Sequence, residues 1–534
     1  MHPYVAEEFT EPEVAVLRRY FTNLEGPVFA LVNLPEVVKG ALFARYSRSS
    51  KSLRRLFLDE FVGDLELAGD ASIDATVGLA RADDLYQKIF VEYGDDSVAQ
   101  LGGVHLACEQ ASNILTKVIE RGRLMSYLEQ STRYLGYDRR LSNGRYRFYR
   151  DNDLLESRFG ARYIGEMDRM FDTYRELLPV LTDWLSGKFP KTAADTDFVY
   201  RQAIRAKALD GLRGLLPASA LSNLGIYASG QAYESLLLRM RAHPLPEVRD
   251  YAQMMLDELM RVIPSFLKRL DVADRGVAWT NYLATTKSAT RTLLAADENS
   301  DAEEPGEHVR LVGFDPKGED RVLEAIVFSS STSSHEQAVT RVAALTSDER
   351  AELFSSYVGE RGNRRHRPGR AFERTDYRFE IVSDYGAFRD LQRHRLLTIE
   401  WQPLSVDLGF DVPEVVREAG LAERYEESLV RSGELFRDVQ VDFPEQAQYC
   451  VALAFRIRYV MQMNAREAMH LIELRSGPQG HPSYRRVAHE MVRLIREMAG
   501  HEAIATSMSY VDFSETDLER LDAERAAERN RLNR

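Results

Sequence analysis

Apolar residues recur every three or four positions over long stretches of the chain, which is the pattern of amphipathic helices. Such helices are predicted at 160–187, 247–263, 421–437, 445–474 and 484–499. Each of them has one apolar stripe that needs a partner surface. The chain is therefore expected to be rich in long, packed helices.

Short apolar or alternating runs indicate strands instead. VRLVGF at 309–314, LEAIVF at 323–328 and YRFEIV at 377–382 have the length and the β-branched or aromatic content of strands. Residues 104–121 are apolar-rich and fit a strand or a helix by periodicity alone. The sequence thus mixes helical and strand segments.

A polar and acidic stretch without periodicity, 285–308, divides the chain. On each side of it a Leu-Arg pair, beginning at Leu238 and at Leu474, precedes a His-Pro pair and a helical stripe. This weak repeat indicates two copies of one unit, and a chain of 534 residues is too long for one ordinary core. The predicted segments are an N-terminal extension (1–28), a first domain (29–284), an acidic linker (285–308), a second domain (309–513) and a charged tail (514–534).

Composition narrows the classes of function. A net charge of −13 argues against a broad nucleic-acid-binding surface, and no run of eighteen apolar residues exists that could span a membrane. Only Cys108 and Cys450 are present, so neither a disulfide framework nor a cysteine-rich metal site is expected, and no metal is predicted. The acidic start is unlike a signal peptide, and we expect a cytoplasmic protein. Arginine supplies 60 of the 70 basic residues, which suits bidentate binding of phosphates and is equally well explained by compositional bias.

Four segments could bind an anionic ligand. Arg393-His394-Arg395 places three basic side chains in a row, and the segment 129–134 combines the side chains of Glu129, Ser131, Arg133 and Tyr134. The other two segments are 463–466, which ends in Asn-Ala-Arg, and the basic loop 366–373. Taken singly, the first two are better explained as exposed turns.

Together these segments resemble the flavin-dependent thymidylate synthase family. The signature of that family is Arg-His-Arg, a short spacer and then Asn-Glu-x-Ser-x-Arg-Tyr. The second half has Arg393-His394-Arg395 but continues to Ser405 without a Ser-x-Arg-Tyr. The first half has Arg121-Gly122-Arg123, in which glycine replaces the histidine, and then Leu-Glu-Gln-Ser-Thr-Arg-Tyr at 128–134.

Further elements of the family are matched in order. Ala44-Arg45-Tyr46-Ser47 resembles an early Ala-Arg-x-Ser element, and Glu373 resembles the glutamate upstream of Arg-His-Arg. The Asn464-Ala465-Arg466 segment, followed by Leu474-Arg475, resembles the late helix of the family. The resemblance covers roughly 29–270 and 309–505.

Two positions bear on how the family's nucleotide phosphate is bound. Arg213 resembles the phosphate-binding arginine of the family, and Gln448 lies near that place in the second half. Asp390 lies where the family usually has a glutamine, and a carboxylate is a poor neighbour for an anion.

The resemblance implies an α/β (α+β) fold with a mixed sheet and long helices, present here as two tandem copies that form a pseudo-dimer. It also implies a homodimer, since two chains would rebuild the four-domain assembly of the family. The implied reaction is the methylation of dUMP to dTMP, with methylenetetrahydrofolate as the carbon donor and FAD, reduced by NADPH, as the source of hydride. No enzyme cysteine is needed for that reaction.

The resemblance also assigns roles to individual residues. The catalytic candidates are Arg475, Arg393 and His394; the cofactor-binding candidates are Arg393, His394, Arg395, Glu373, Asn464, Arg466 and Ser47; the substrate-binding candidates are Glu129, Ser131, Arg133, Tyr134 and Arg213.

The motif losses in the two halves are complementary, which predicts one surviving kind of composite site. It would bind the nucleotide phosphate through the first half and flavin through the second. Two alternatives stay open at this stage: a flavin-dependent modification of another pyrimidine nucleotide, and a non-catalytic scaffold that binds flavin or nucleotide.

Overall fold

The computed structural model describes residues 4–62, 100, 102–193, 195–295, 308–514, 518, 521, 525 and 529. The chain divides into two compact units. Unit 1 is made of Met1–Leu177, Leu215–Glu303 and Glu427–Ala452, and unit 2 of Leu178–Gly214, Glu304–Glu426 and Leu453–Arg534. Each unit therefore includes a segment from the other half of the sequence, so the compact units do not coincide with the continuous domains predicted above.

Unit 1 is built on a four-stranded sheet in the order β1-β2-β4-β3. The strands are β1 (Val28–Leu31), β2 (Gly103–Ser112), β3 (Met125–Glu129) and β4 (Leu221–Ser229). β2 is central and almost entirely buried, as its apolar sequence requires. The β2–β4 register shifts between Cys108 and Ala111, where Gln110 has a φ of 54°.

Helices cover this sheet. In unit 1 they are α1 (Glu11–Leu17), α2 (Glu36–Tyr46), α3 (Leu53–Glu60), α4 (Asn113–Ile119), α5 (Asn152–Glu156), most of α6 (Gly160–Lys188), α8 (Gly230–Arg241), α9 (Pro246–Met260), α10 (Pro264–Leu267) and α11 (Ala278–Ala295). The end of α6 and the whole of α7 (Asp197–Leu212) belong to unit 2.

Unit 2 has a second four-stranded sheet in the order β5-β6-β8-β7. Its strands are β5 (His308–Phe314), β6 (Asp376–Asp384), β7 (Thr398–Trp401) and β8 (Arg456–Asn464). The remaining helices of the described chain are α12 (Gly318–Ser330), α13 (His335–Ala344), α14 (Ser347–Val358), α15 (Tyr385–Leu391), α16 (Glu414–Glu418), α17 (Ala422–Val439), α18 (Ala465–Arg475), α19 (Pro482–Glu497) and α20 (Glu502–Ser507). Most of α17 belongs to unit 1.

The two sheets repeat one topology. In each copy the second strand along the chain, β2 or β6, leads directly into a short helix. The fourth strand along the chain, β4 or β8, leads into a longer helix. Side chains of Ser112, Ser229, Asp384 and Asn464 cap these helices. Two tandem copies of one α/β fold are thereby confirmed. All six strand pairs of the described sheets are antiparallel, however, whereas the resemblance implied a mixed sheet.

Several local predictions need correction. LEAIVF at 323–328 lies in helix α12, because its buried residues fall on one helical face. The helix predicted at 445–474 is instead a short 3₁₀ turn, strand β8 and then α18. Residues 104–121 are divided between β2 and α4, which explains why periodicity fitted both.

The predicted linker and tail are only partly described. Residues 285–295 form the end of α11, so this part is helical; 296–307 lie outside the described residues, as does most of 514–534. Within the described chain, none of the helices combines the length and the hydropathy needed to cross a bilayer.

Candidate functional site

The Arg-His-Arg segment follows a short capped helix of unit 2. The Asp384 Oδ1 atom accepts a hydrogen bond from the Ala387 N–H at 2.8 Å and so starts α15 at the end of β6. The chain then turns after α15, which leaves Arg393 and Arg395 exposed and His394 buried. One ring is thereby held inside the unit while two guanidinium groups face solvent.

His394 is fixed by two residues of α18. The Arg475 Nε–H donates to His394 Nε2 at 3.0 Å, and His394 Nδ1 lies 3.1 Å from Glu467 Oε1. Since Nε2 accepts from an arginine, the ring is neutral and its proton is on Nδ1, where it donates to Glu467. The structure thus brings together two of the three catalytic candidates, His394 and Arg475.

Arginines dominate the electrostatics around this network. Burial and the neighbouring Arg475 hold the pKa of His394 well below its usual range. Burial raises the pKa of Glu467 to about 7, against the opposing effect of nearby arginines. Burial and the same basic surroundings lower the pKa of His470 to about 4. The arginines that act on Glu467 or His470 are Arg364, Arg367, Arg395, Arg466 and Arg475.

His394, Glu467 and His470 also offer three potential metal-ligand atoms within 4.8 Å of one another. Both ring nitrogens of His394 already have hydrogen-bond partners, however. A divalent cation would also lie among several guanidinium groups, which repel it. The chemistry of the cluster therefore favours an anionic ligand nearby over a metal ion.

Three more cofactor-binding candidates, Glu373, Asn464 and Arg466, lie at or contact the start of α18. Arg466 Nη1 is 3.7 Å from Glu373 Oε1, and its Nε donates to the Pro368 carbonyl at 2.9 Å. The Asn464 side chain accepts from the Glu467 N–H at 2.9 Å, so it caps α18. These contacts join the loop 366–373 to the helix that holds His394.

The Ser-x-Arg-Tyr segment belongs to unit 1. It forms a turn in which Ser131 Oγ accepts from the Arg133 N–H at 3.3 Å. The Ser131 N–H donates to the Ser47 carbonyl at 3.2 Å, so Ser47, predicted to bind the cofactor, lies beside the predicted nucleotide clamp. Tyr134 is exposed and packs under the Arg48 guanidinium, 5.4 Å from the ring centroid.

Glu129 has a different environment from the rest of its segment. Its Oε2 lies 3.1 Å from Lys117 Nζ, and Lys117 also contacts Glu120; all three side chains are almost fully buried. This triad couples α4 to β3. The carboxylate is therefore committed to a buried ion pair within unit 1.

Arg213 lies in unit 2 together with second-half residues. Its Nη1 is 3.4 Å from Asp390 Oδ2 and its Nη2 is 4.0 Å from Asp384 Oδ1. Asp390 Oδ1 is in turn 3.8 Å from Arg393 Nη1. The predicted phosphate-binding arginine thus has two carboxylates beside it.

The first-half equivalent of Arg-His-Arg, residues 121–123, is packed differently. The Tyr127 hydroxyl accepts from the Gly122 N–H at 3.1 Å and donates to the Gly122 carbonyl at 3.3 Å. A Cβ at Gly122 would lie 2.6 Å from that hydroxyl. No side chain fits there without movement of Tyr127.

Sequence reasoning missed Glu467, His470 and Arg364, whereas Arg367 lies in the basic loop 366–373 that was predicted to bind an anionic ligand. A signal was present for the first two, because Glu467 and His470 are three residues apart on a helix and so share a face. Arg364 lies in a loop, where spacing does not indicate which side chains converge.

Both copies of the repeated fold match the model of one known protein family. The model of the family described as "Thymidylate synthase complementing protein" matches residues 41–265 and 310–500, which is more than half of the chain and includes both copies. The chain belongs to this family. The resemblance to the flavin-dependent thymidylate synthases is thereby confirmed over two segments.

Two curated relatives are similar to the chain along almost its whole length. A UPF0159 protein of Chlamydia muridarum is 38% identical over 525 residues, covering 97% of this chain and 98% of its own. A UPF0159 protein of Thermoplasma acidophilum is 32% identical over 513 residues, covering 91% and 97%. A crystal structure of a UMP/dUMP methylase, PolB, from Streptomyces cacaoi bound with 5-Br dUMP has 19% identity and a TM-score of 0.31, covering 38% of this chain and 96% of that one; no conclusion follows from a likeness at this level.

Proposed function

We propose that this thymidylate-synthase-like methyltransferase uses FAD, NADPH and methylenetetrahydrofolate to convert dUMP to dTMP. The observation that carries the proposal is the Arg475–His394–Glu467 network, built on the two elements that carry the family's motifs. Membership of the family over both copies supports it further.

The residues around this network suit a flavin dinucleotide. Its pyrophosphate is anionic, and the exposed Arg393 and Arg395 present guanidinium groups that bind phosphate oxygens in a bidentate manner. Arg466 and Glu373 would hold a neighbouring part of the cofactor. When bound, FAD supplies hydride chemistry that no amino-acid side chain provides.

The protein's own residues would position charge. Arg475 would stabilise the negative charge that develops on a pyrimidine ring under attack. His394 and Glu467 keep its guanidinium in one orientation, because the half-buried Arg475 donates to the buried His394, whose ring is fixed in turn by the buried Glu467. His394 is thus a positioning residue in this scheme, since its Nε2 lone pair is occupied by Arg475.

The nucleotide phosphate would be held by the first-half clamp, Ser131 and Arg133, with Tyr134 beside it. Arg213 is less suited to that role than the resemblance implied. Its guanidinium is balanced by Asp390 and Asp384, so an added phosphate would meet two carboxylates.

The direct test is the reaction itself. Purified protein is expected to carry flavin absorbance, to be reduced anaerobically by NADPH and to form dTMP from dUMP and methylenetetrahydrofolate. Arg133→Ala should weaken dUMP binding by about 10- to 100-fold, the usual cost of a charge-assisted contact. Arg393→Ala should weaken flavin binding to a similar extent.

The matched control variants change residues at the equivalent segment of the half that lacks each motif. Arg121→Ala and Ser405→Ala should leave ligand affinities within about 0.5 kcal/mol of the parent. A protein without flavin, or one whose flavin affinity depends on Arg121 as strongly as on Arg393, would refute the proposal.

A second candidate is the modification of another pyrimidine nucleotide. Asp390, paired with both Arg213 and Arg393, favours it, because this carboxylate changes the charge where the family has a glutamine. Turnover of dUMP, UMP and dCMP measured side by side decides between the two candidates, the preferred substrate being the one with the highest kcat/KM.

A further inference from the structure

The end of helix α8 and the middle of helix α11 carry a basic cluster in unit 1 that has no part in the reaction proposed above. Helix α8 packs against both α4 and α11. Arg239, in the last turn of α8, and His243, just beyond that helix, are half-buried, whereas Lys287 of α11 is exposed. Arg291 follows Lys287 by one helical turn, so the two share a face of α11. Helix packing thus gathers basic side chains from two distant segments of the sequence.

The charges of these groups act on one another. Burial and the charge of Lys287 lower the pKa of His243 to about 3. Burial and the neighbouring Arg291 lower the pKa of Lys287. Burial lowers the pKa of Arg239, and the charge of Arg121, which follows α4, acts in the same direction. The cluster therefore holds like charges near one another, which is unfavourable unless an anion balances them.

Only part of this positive charge is balanced within the described chain. Arg291 pairs with Glu445. No described residue hydrogen-bonds to the side chain of Arg239 or Lys287 or forms an ion pair with it. The end of α8 adds a partial negative charge of about half a unit. The three cations Arg239, Lys287 and Arg291 therefore exceed these counter-charges by about 1.5 units.

The unpaired groups are hydrogen-bond donors. His243 Nδ1 accepts from the Leu245 N–H at 3.2 Å, so the neutral ring carries its proton on Nε2. That N–H and the Arg239 guanidinium have no hydrogen-bond partner among the described residues, and neither is sealed off from solvent. Lys287 adds an ammonium group on an exposed helix. A guanidinium, an imidazole N–H and an ammonium group together suit the oxygens of a phosphate.

This cluster differs from the site around His394 in the second copy. Lys287 and Arg291 lie outside 41–265 and 310–500, the two segments that match the family. The donors on α11 therefore do not belong to the part of the chain that carries the ligand-binding motifs of the family. The cluster is a feature of this chain that the family's own sites do not imply.

We propose that this cluster is a second anion site, which binds a doubly charged phosphate group through Arg239, His243 and Lys287. A phosphate monoester carries about 1.5 to 2 negative charges at pH 7, which matches the unbalanced charge of the cluster. The guanidinium would bind two phosphate oxygens side by side, and the other two donors would bind the remaining oxygens. Because α11 is exposed, an organic group on the phosphate would extend into solvent.

Equilibrium dialysis of the full chain with labelled inorganic phosphate tests the proposal. Arg239→Gln should weaken phosphate binding by about 10- to 100-fold, because a charge-assisted contact is lost. Lys287→Met, at an exposed position, should weaken it by about 2- to 5-fold. The control Arg175→Gln, at an exposed arginine of α6 that pairs with Asp172, should bind phosphate as the parent does. Dimethyl phosphate, which carries a single charge, should bind at least about 10-fold more weakly than inorganic phosphate.

Two further arms separate this site from the nucleotide clamp and identify its ligand. Arg133→Ala should keep the phosphate site that Arg239→Gln loses, and Arg239→Gln should keep the parent's affinity for dUMP. Ribose 5-phosphate is then used to displace labelled phosphate. Displacement at a lower concentration than unlabelled phosphate needs would assign the site to phosphate monoesters, and displacement at a higher concentration would assign it to free phosphate.

The proposal is independent of dTMP formation, because phosphate binding is measured without turnover. Three results would overturn it: no saturable phosphate binding, equal binding of dimethyl phosphate, or phosphate binding that is lost in Arg133→Ala and retained in Arg239→Gln. If Arg239→Gln fails to fold, Lys287→Met and the comparison of the two probes on the parent protein retain the test.

Discussion

The loops that follow α4 and α15 occupy equivalent positions in the two copies but differ in the residue at their centre and in its hydrogen bonds. In unit 2 the middle residue is His394, which connects Arg475 to Glu467. In unit 1 it is Gly122, and the Tyr127 side chain hydrogen-bonds to its backbone. The first copy therefore differs by more than the absence of a histidine. Other residues occupy the space that a side chain at position 122 would need.

The two copies also differ at a buried carboxylate. In unit 1, Glu247 at the second position of α9 accepts from the Ser112 N–H at 2.9 Å and from the Ser112 hydroxyl at 2.6 Å. In unit 2, Ser483 at the second position of α19 donates to Asp384 at the end of β6. The carboxylate and the serine are exchanged between the two positions, but the contact from the strand end to the helix is retained. The arrangement of strand and helix is therefore the same in the two copies, although the residues that join them differ.

The largest expected effect tests the buried ions of unit 1. Lys117→Met removes the cation that pairs with Glu120 and Glu129, so it should reduce the free energy of unfolding by about 3–5 kcal/mol. Denaturant unfolding followed by circular dichroism measures this. The control is Lys51→Met, at an exposed pair with Asp59, which should cost less than about 1 kcal/mol. Equal costs for the two variants would show that the triad is not a structural anchor.

The fold was largely predictable, because helical stripes at 160–187 and 247–263 are long enough to be unambiguous. Short apolar runs were not: 323–328 has the composition of a strand, and only its packing in unit 2 makes it helical. The motif residues were found through order along the chain. The contacts of Glu467 with His394 and of Arg213 with Asp390 depend on tertiary packing, which local sequence does not encode.

The second prediction concerns pH. Burial raises the pKa of Glu247 in the folded protein to about 7 from an ordinary value of 4.5. Folding therefore takes up a proton between these values, and the stabilisation present below pH 4.5 is lost as the pH rises through 7. Glu247→Gln cannot ionise, so from pH 4.5 to 8 it should gain about 3 kcal/mol relative to the parent.

Urea unfolding at several pH values measures this difference. The gain should level off above the folded-state pKa. Parallel stability curves for the parent and Glu247→Gln would mean that the carboxylate is ionised in the folded state throughout, held by its three donors including the Tyr449 hydroxyl.

The third prediction replaces the histidine of the second copy by glycine, the residue that the first copy has at the equivalent position. His394→Gly leaves the Arg475 guanidinium and Glu467 without the ring that joins them, so the rate of dTMP formation should fall by about 100-fold, as when one oriented charge-stabilising group is lost. The comparison variant is His335→Ala, at an exposed histidine of α13, which should retain the full rate. If His394→Gly retained the parent's kcat, the network would not position the reacting groups.

The smallest effect tests whether the first copy could regain a side chain in its loop. In Gly122→Ala the new Cβ would lie 2.6 Å from Tyr127 Oη and 2.8 Å from Met125 Sδ, so we expect a loss of about 1–3 kcal/mol in stability. Because Gly122 does not have a positive φ, this cost is steric and should fall when Tyr127→Phe removes the nearest atom. A double-mutant cycle measures that coupling. Gly165→Ala, with no atom within 4 Å on the exposed face of α6, should instead be stabilising by about 0.5–1 kcal/mol. If Gly122→Ala behaved like Gly165→Ala, the loop would have room for a side chain, and the loss of the histidine would not be enforced by packing.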